Sequence, residues 1–307
     1  MPPTRLIIDV DTGGDDAVAI LLAGHHPAVE LVAVTCVEGN APLHLVVRNT
    51  LAVLEQGGLP HVPVYAGIDR HMHTRPYPRD LDQKRELKLP EPTLAPAQKH
   101  AVDFLIDYYM GPDGPNTLLA PVAPLTNIAM ALLRQPALAG RIPRMVMMGG
   151  AYIGGNTTPS AEFNIYADPE AARIVFNAGI PISMVGLEVT GQALITPAQA
   201  ERIAAFNTPG ARVAGPLIAE EVGWFVRHLG AEAGQVYDAC AVAAIIEPEI
   251  LQTRPAHCDI ELTGELTRGR TVCDFGYRRR GTSPNVDVGV GINRDRFLEI
   301  LHEAFAG

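Results

Sequence analysis

The chain has 307 residues, of which 47% are hydrophobic and 19% charged, and its formal net charge at pH 7 is -10. A chain of this length can bury a large core, and we expect one domain over residues 1–307. The negative charge argues against binding to nucleic acid or anionic membrane, and no apolar run is long enough to span a bilayer. The N-terminal segment passes into a predicted strand without an apolar leader, so we expect a cytoplasmic protein.

Strand-like and helix-like segments alternate along the chain without internal repeats. Buried strands are predicted at residues 6–8, 31–37, 116–122, 144–149 and 181–187. Helices are predicted from residue 17 and at residues 43–56, 97–109, 126–134 and 168–178. This alternation indicates an α/β fold with an open, mostly parallel, doubly wound sheet flanked by helices.

One long segment interrupts this alternation of strands and helices. Residues 71–96 are rich in charge and proline, which predicts a long surface loop, and loops of this length in enzymes often act as lids. A solvated insertion without a role is the alternative.

The four cysteines, Cys36, Cys240, Cys258 and Cys273, are dispersed without a Cys-x-x-Cys pair, so we expect reduced and mostly buried thiols.

The segment of residues 5–23 carries the strongest chemical signal. Its four carboxylates, Asp9, Asp11, Asp15 and Asp16, fall at the turn between the first predicted strand and the first helix. Ligands bind at the carboxyl ends of strands in open α/β sheets, and hard divalent cations prefer oxygen ligands. Complementation of the helix dipole is an alternative explanation for Asp15 and Asp16, but it does not explain Asp9 and Asp11. The turn therefore predicts a metal site.

This turn resembles the signature of the nucleoside hydrolase family, the calcium-dependent, inosine-uridine preferring N-ribosyl hydrolases. The family pattern is Asp-x-Asp-Pro-Gly-x-Asp-Asp, and here Thr12 takes the place of proline while every carboxylate is kept. Further blocks match in the family's order: Gly39-Asn40 and residues 120–132, 144–172, 236–246 and 267–274.

The resemblance implies a set of site residues and a cofactor. The metal would be Ca²⁺, with ligands from Asp11, Asp16, Asp238 and the backbone oxygen of Thr126. The catalytic residues would be Asp11, as general base, and Tyr237. The substrate-binding residues would be Asp15, Asn40, Met148, Asn156, Glu162, Asn164 and Phe225. Caps and turns are an alternative role for Glu162 and the two asparagines. The resemblance also implies a ribonucleoside substrate and a homodimer or homotetramer.

The chain departs from the family pattern near the leaving base. Most relatives place His before the last metal-ligating Asp, where this chain has Tyr237. The family's His-Gly-x-x-Gly stretch is missing, although His71 and His73 lie in its place. Phe225 falls where relatives have a base-contacting tyrosine, although a Trp-Phe pair on a helix is more often part of the core. The base preference therefore stays open.

Two other functions have to be weighed. Asp9 and Asp11 after an apolar strand also resemble the nucleophile loop of haloacid-dehalogenase-type phosphatases. Those enzymes need a downstream lysine, whereas no lysine follows Lys99 here. The second alternative is a catalytically silent, calcium-dependent ribose or nucleoside binder, in which Tyr237 marks the loss of activity.

Overall fold

The structure is a computed structural model that describes residues 2–72, 86–276 and 283–307. In these ranges one sheet contains the strands β1 (Thr4–Val10), β2 (Val29–Cys36), β3 (Val64–Ala66), β4 (Thr117–Pro121), β5 (Met145–Met148), β6 (Ile182–Val185), β7 (Leu251–Ile260), β8 (Thr271–Asp274) and β9 (Val286–Ile292). Their order across the sheet is β3-β2-β1-β4-β5-β6-β9-β7-β8. The neighbours from β3 to β9 in this order are parallel, and β7 is antiparallel to both β9 and β8.

Helices connect and flank these strands. They are α1 (Gly14–His25), α2 (Leu43–Gln56), α3 (Ala101–Met110), α4 (Thr126–Arg134), α5 (Phe163–Ala167), α6 (Pro169–Phe176), α7 (Leu187–Thr190), α8 (Pro197–Ala204), α9 (Pro209–Leu229), α10 (Tyr237–Ile246) and α11 (Arg294–Ala306). None of the helices described here is long and apolar enough to cross a membrane.

The central strands are buried on both faces. In β1, Leu6 and Ile8 belong to one hydrophobic cluster, whereas Ile7 belongs to a second cluster. Because successive side chains of a strand point to opposite faces, the two clusters are the cores on the two sides of the sheet. The predicted α/β fold with a mostly parallel, doubly wound sheet is confirmed.

The chain order reverses between β1 and β4, which are neighbours in the sheet. To one side of this pair lie β2 and β3, and to the other lie β5 and β6. A crevice opens at such a switch point, beyond the carboxyl ends of the strands. The turn that carries the predicted metal ligands follows β1 and therefore lies at this crevice.

Candidate active site

The turn between β1 and α1 is held together by one of its own carboxylates. Asp16 accepts hydrogen bonds from the backbone amides of Asp11 (3.1 Å) and Gly13 (2.9 Å). These bonds satisfy amides that would otherwise lack a partner at the start of the helix. Asp16 is fully buried, while Asp15, one residue earlier, lines the adjoining cavity.

A third carboxylate reaches the same point from α10. Asp238 is in the first turn of that helix and is buried. One carboxylate oxygen from each of Asp15, Asp16 and Asp238 can be chosen so that all three lie within 4.8 Å of one another. Two helix N-termini thus converge on a cluster of acidic oxygens, the ligand type that hard divalent cations prefer.

Asp11 is oriented by Asn40, in the loop after β2. The backbone amide of Asn40 donates to Asp11 Oδ2 (2.6 Å), and the Asn40 side-chain amide donates to Asp11 Oδ1 (3.1 Å). A side chain at Gly39 would collide with this carboxylate. Asp11 is buried and contributes to the electrostatic potential at both Asp16 and Asp238.

Burial and mutual repulsion act on the pKa values of the carboxylates at this site. Burial, followed by repulsion from neighbouring carboxylates, raises the pKa of both Asp16 and Asp238. Asp9 lies at the end of β1, where Thr35 and Asn127 donate to it, and burial raises its pKa to about 7. A divalent cation would relieve the repulsion between the ionised forms, so the oxygen ligands and their electrostatics fit Ca²⁺.

A second group of polar residues lies between β5 and α5. Glu162 is the N-cap of α5, where it accepts from the amides of Asn164 (2.9 Å) and Gly150 (2.8 Å). Burial raises the pKa of Glu162. The Asn164 side-chain amide donates to the carbonyls of Val122 (3.0 Å) and Met148 (3.1 Å), and so joins α5 to the ends of β4 and β5. The capping role predicted as an alternative is therefore present for Glu162.

Asn156 belongs to the same region but is more exposed. Its side-chain oxygen accepts from the amide of Phe163 (3.0 Å), which links the loop after β5 to the start of α5. The side chains of Asn156, Glu162, Asn164 and Met148 all line the cavity.

Helix α9 and Tyr237 contribute an aromatic wall to the same cavity. The rings of Phe225 and Tyr237 lie 6.3 Å apart, and those of Trp224 and Phe225 lie 5.4 Å apart. Trp224 is exposed by 46% although it lines the cavity, whereas Phe225 is buried by the packing of α9. Burial and the carboxylates of Asp15 and Glu221 raise the pKa of the Tyr237 phenol, so the phenol is protonated at neutral pH.

The described end of the predicted 71–96 loop forms the rim of the cavity. The segment of residues 86–89 lines it, and α2 holds this segment in place. Arg48 donates to the carbonyls of Leu87 (2.9 Å) and Leu89 (2.6 Å). Asn49 accepts from the Leu87 amide (3.1 Å) and donates to the Thr12 carbonyl (3.0 Å), so it joins the rim to the acidic turn. Residues 73–85, with His73, lie outside the described ranges.

The acidic cluster, the polar group, the aromatic wall and the rim meet at one cavity of about 870 Å³, a volume in the usual range for small-molecule sites. Of the residues predicted from sequence, the cavity is lined by Asp15, Asn40, Met148, Asn156, Glu162, Asn164, Phe225, Tyr237 and Asp238. Asp11 and Asp16 are buried in the adjoining acidic turn.

Thr126 is the backbone ligand predicted from the family resemblance. It begins α4, donates its hydroxyl hydrogen bond to Asp168 (2.7 Å) and does not line the cavity. Helix carbonyls point toward the following turn, so the Thr126 carbonyl faces away from the carboxyl edge of the sheet. The Val122 carbonyl, directly after β4, belongs to a residue that lines the cavity. Val122 is therefore a second candidate for the backbone ligand beside Thr126.

Sequence reasoning missed other residues of the cavity. Val122, Glu221 and the rim residue Leu87 all line it. Any residue type can offer a backbone carbonyl, so residue type could not identify Val122 as a ligand. Its position could have done so, because it directly follows a predicted strand at the switch point of the sheet. Glu221 follows Leu217 by four residues, and this helical spacing could have placed both on the cavity side of α9.

Comparison with known proteins agrees with this geometry. Residues 6–299 match the family model described as inosine-uridine preferring nucleoside hydrolase. The chain is 37% identical to the pyrimidine-specific ribonucleoside hydrolase RihB of Escherichia coli strain SE11, over 100% of this chain and 98% of that protein. Among solved structures, a plant nucleoside hydrolase, the PpNRh1 enzyme, is similar with a TM-score of 0.91, at 26% identity and full coverage of both chains.

A further solved structure is the purine-preferring ribonucleoside hydrolase from Gardnerella vaginalis. It has a TM-score of 0.90 and 31% identity, over 99% of this chain and 98% of that chain. Relatives named for opposite base preferences thus share this fold. The family model and the identity to RihB extend over nearly the whole chain. The chain belongs to the inosine-uridine preferring nucleoside hydrolase family and is a hydrolase of N-glycosyl compounds.

Proposed function

We propose that this enzyme hydrolyses the N-glycosidic bond of ribonucleosides in a Ca²⁺-dependent reaction that releases the base and ribose. The observation that carries the proposal is the convergence of three carboxylates, two of them buried, beside a cavity that also presents a polar group and an aromatic wall. The acidic end suits a cation and sugar hydroxyls, and the aromatic wall suits a planar base.

The ligands for the cation are proposed from the acidic turn and its neighbours. Asp11, Asp16 and Asp238 would hold it together with the Val122 carbonyl, and Asp15 lies within the same cluster of oxygens. A bound Ca²⁺ would supply Lewis-acid activation of water and of the hydroxyls of ribose. The raised pKa values of Asp16 and Asp238 support this assignment, because the charged groups that act on them among the described residues are other carboxylates.

Asp11 is the proposed general base. Its two hydrogen bonds from Asn40 fix the plane of the carboxylate, so a water molecule placed against it would meet a defined oxygen. Asp11 would take a proton from this water as the water attacks C1′ of the sugar. Positive charge develops on C1′ and the ring oxygen in this step, as in O-glycoside hydrolysis.

Asn156, Glu162, Asn164 and Asp15 are proposed to orient the ribose. Backbone amides fix Glu162 at the N-terminus of α5, and the Asn164 amide is fixed by two carbonyls. A substrate without a hydroxyl leaves such buried groups unpaired, which costs binding energy. We therefore expect ribonucleosides to be preferred over 2′-deoxyribonucleosides.

Tyr237 is proposed to assist the departing base. Its raised pKa keeps the proton on the phenol oxygen, so Tyr237 donates a hydrogen bond to the base but transfers its proton poorly. Phe225, beside Tyr237, extends the apolar wall against which a base would pack.

A product assay with purine and pyrimidine ribonucleosides tests the proposal. We expect release of free base and ribose, loss of turnover in excess chelator, and recovery with Ca²⁺. A silent nucleoside binder would show affinity without product, even for p-nitrophenyl riboside, whose leaving group is activated. Turnover that persists in chelator would overturn the calcium dependence and leave the hydrolase activity standing. A homodimer or homotetramer and a cytoplasmic location are proposed on the family resemblance, and sedimentation and cell fractionation test them.

A further inference from the structure

Two of the four cysteines lie next to each other at the edge of the sheet. Cys258 on β7 and Cys273 on β8 are directly opposite each other in the antiparallel register. Their sulfur atoms are 3.2 Å apart, with Cys258 as the hydrogen-bond donor. Cys258 is fully buried, whereas Cys273 is partly exposed. The two thiols thus form a pair with access from solvent through Cys273.

The backbone of this pair has the geometry of a non-hydrogen-bonded position. The Cys258 amide donates to the side chain of Asn285 (2.7 Å), and the Cys258 carbonyl accepts from the same side chain (2.9 Å). These groups therefore face the β9 side and not β8. Three positions further on, the Glu261 amide donates to the Arg270 carbonyl (3.0 Å), as the alternation of an antiparallel ladder requires.

This position decides whether the thiols can be joined. Residues opposite each other at non-hydrogen-bonded positions have Cα atoms about 4.5 Å apart and side chains on the same face. Disulfides span Cα separations from about 4.4 Å upward. A bond between the two sulfurs therefore needs side-chain rotation but no change in strand register.

We propose that Cys258 and Cys273 are a reversible redox site that forms a cross-strand disulfide with a disulfide oxidant such as glutathione disulfide. The Cys273 thiolate attacks one sulfur of the oxidant and expels one glutathione thiolate. The Cys258 thiolate then attacks Cys273 Sγ and expels the second. The dithiol loses two electrons, the oxidant gains them, and the two cysteine protons end on the two glutathione molecules.

The hairpin that carries this pair supports the polar side of the active site. A side chain on Gly150 would collide with Thr271 of β8, and the Gly150 amide donates to Glu162. Phe275, two residues after Cys273, packs edge to face on Tyr152 with ring centroids 5.3 Å apart. A bond between β7 and β8 would therefore restrain the surface against which the loop after β5 is packed.

The disulfide closes the loop of residues 258–273 and removes conformational freedom mainly from the unfolded chain. For a loop of this size in a chain of 307 residues, we expect the melting temperature to rise by about 5 °C on oxidation. The half-life of activity at elevated temperature should lengthen in the same preparation, and dithiothreitol should reverse both changes.

The test incubates the folded protein with glutathione disulfide, blocks free thiols and identifies the products by peptide mass spectrometry. We expect one internal disulfide that joins the peptides of Cys258 and Cys273, with Cys36 and Cys240 still free thiols. Cys240→Ala is the matched control and should react like the natural chain. Cys258→Ser should stop at a glutathionyl group on Cys273, and Cys258→Ser/Cys273→Ser should show no oxidation-dependent melting shift.

Two results would overturn the proposal. One is that the folded natural chain keeps all four thiols free, or gains only a glutathionyl group, under conditions in which the denatured chain oxidises readily. The other is an internal disulfide that includes Cys36 or Cys240. The mass readout is independent of catalysis, so a failure of the proposed hydrolase mechanism would leave it interpretable.

Discussion

Removal of the cation should weaken the fold and not only the activity. Without a cation, the carboxylates of Asp16 and Asp238 are buried among like charges, as their raised pKa values indicate. A ligand that binds the folded chain and not the unfolded one stabilises it by mass action. Addition of Ca²⁺ to chelator-treated protein should therefore raise its melting temperature.

The size of this shift follows from the affinity and the chain length. For a dissociation constant on the order of 1 µM, Ca²⁺ at about 1 mM stabilises the fold by about 4 kcal/mol. The unfolding entropy, about 2.1 cal/mol/K per residue, comes to about 0.65 kcal/mol/K for 307 residues. The melting temperature should rise by about 6 °C under these conditions.

The pH dependence of the chelated protein has a defined sign. Asp9, Asp16 and Asp238 have pKa values above those of the unfolded chain, and burial is the largest cause for each. The folded state therefore holds protons that the unfolded state releases. Their stabilising contribution is present below the unfolded pKa and is lost as the pH rises through the folded pKa, which is about 7 for Asp9. Melting temperatures in chelator should fall from pH 5 to pH 8, and Ca²⁺ should reduce this fall.

Differential scanning fluorimetry with a Ca²⁺ titration at several pH values measures both effects. Asp238→Asn removes one negative charge from the cluster, so in chelator it should melt no lower than the natural chain and should gain less from Ca²⁺. Asp107→Asn is the matched control, because Asp107 is exposed and pairs with Lys99 on the surface. An equal Ca²⁺ shift in natural chain and Asp238→Asn, or no shift at millimolar Ca²⁺, would refute the reasoning.

Three substitutions test individual roles by steady-state kinetics. Asp11→Asn should lower kcat on ribonucleosides by roughly 10²-fold or more with less effect on KM, and near-normal kcat would exclude Asp11 as the base. Tyr237→Phe should slow natural ribonucleosides and leave p-nitrophenyl riboside nearly unchanged, whereas equal slowing of both would point to a role other than leaving-group assistance. Asn49→Ala breaks the link between Leu87 and Thr12 and should raise KM by roughly 10-fold, more than it lowers kcat. An unchanged KM would show that the rim does not need this link.

The sequence was most informative for features that depend only on residue type and on neighbours close in the chain. The central strands are continuous apolar runs because they are buried on both faces, and β1 and β5 were predictable for that reason. Asp11, Asp15 and Asp16 could be assigned to one turn since they directly follow a strand. Their proximity required no knowledge of other parts of the chain.

Residues that meet only through tertiary packing were less predictable. The antiparallel pair β7 and β8 was not predicted, and without its register Cys258 and Cys273 read as unrelated thiols. Thr126 and Val122 belong to one short matched segment, and sequence alone does not tell which carbonyl faces the crevice. That choice depends on where β4 ends and α4 begins, the least certain part of any sequence-based assignment.

The electrostatics of the acidic cluster explain why its cation and its fold are linked. Helices α1 and α10 direct their N-termini at Asp15, Asp16 and Asp238, but such a helix end stabilises a nearby carboxylate by only about 0.3–1 kcal/mol at exposed sites and at most about 2 kcal/mol at partly buried ones. Two unit charges 4 Å apart repel by about 4 kcal/mol at an effective dielectric constant of 20. The dipoles therefore offset only part of the repulsion between ionised carboxylates. The balance has to come from protonation or from a bound cation, and a bound cation would let these three carboxylates stay ionised at neutral pH.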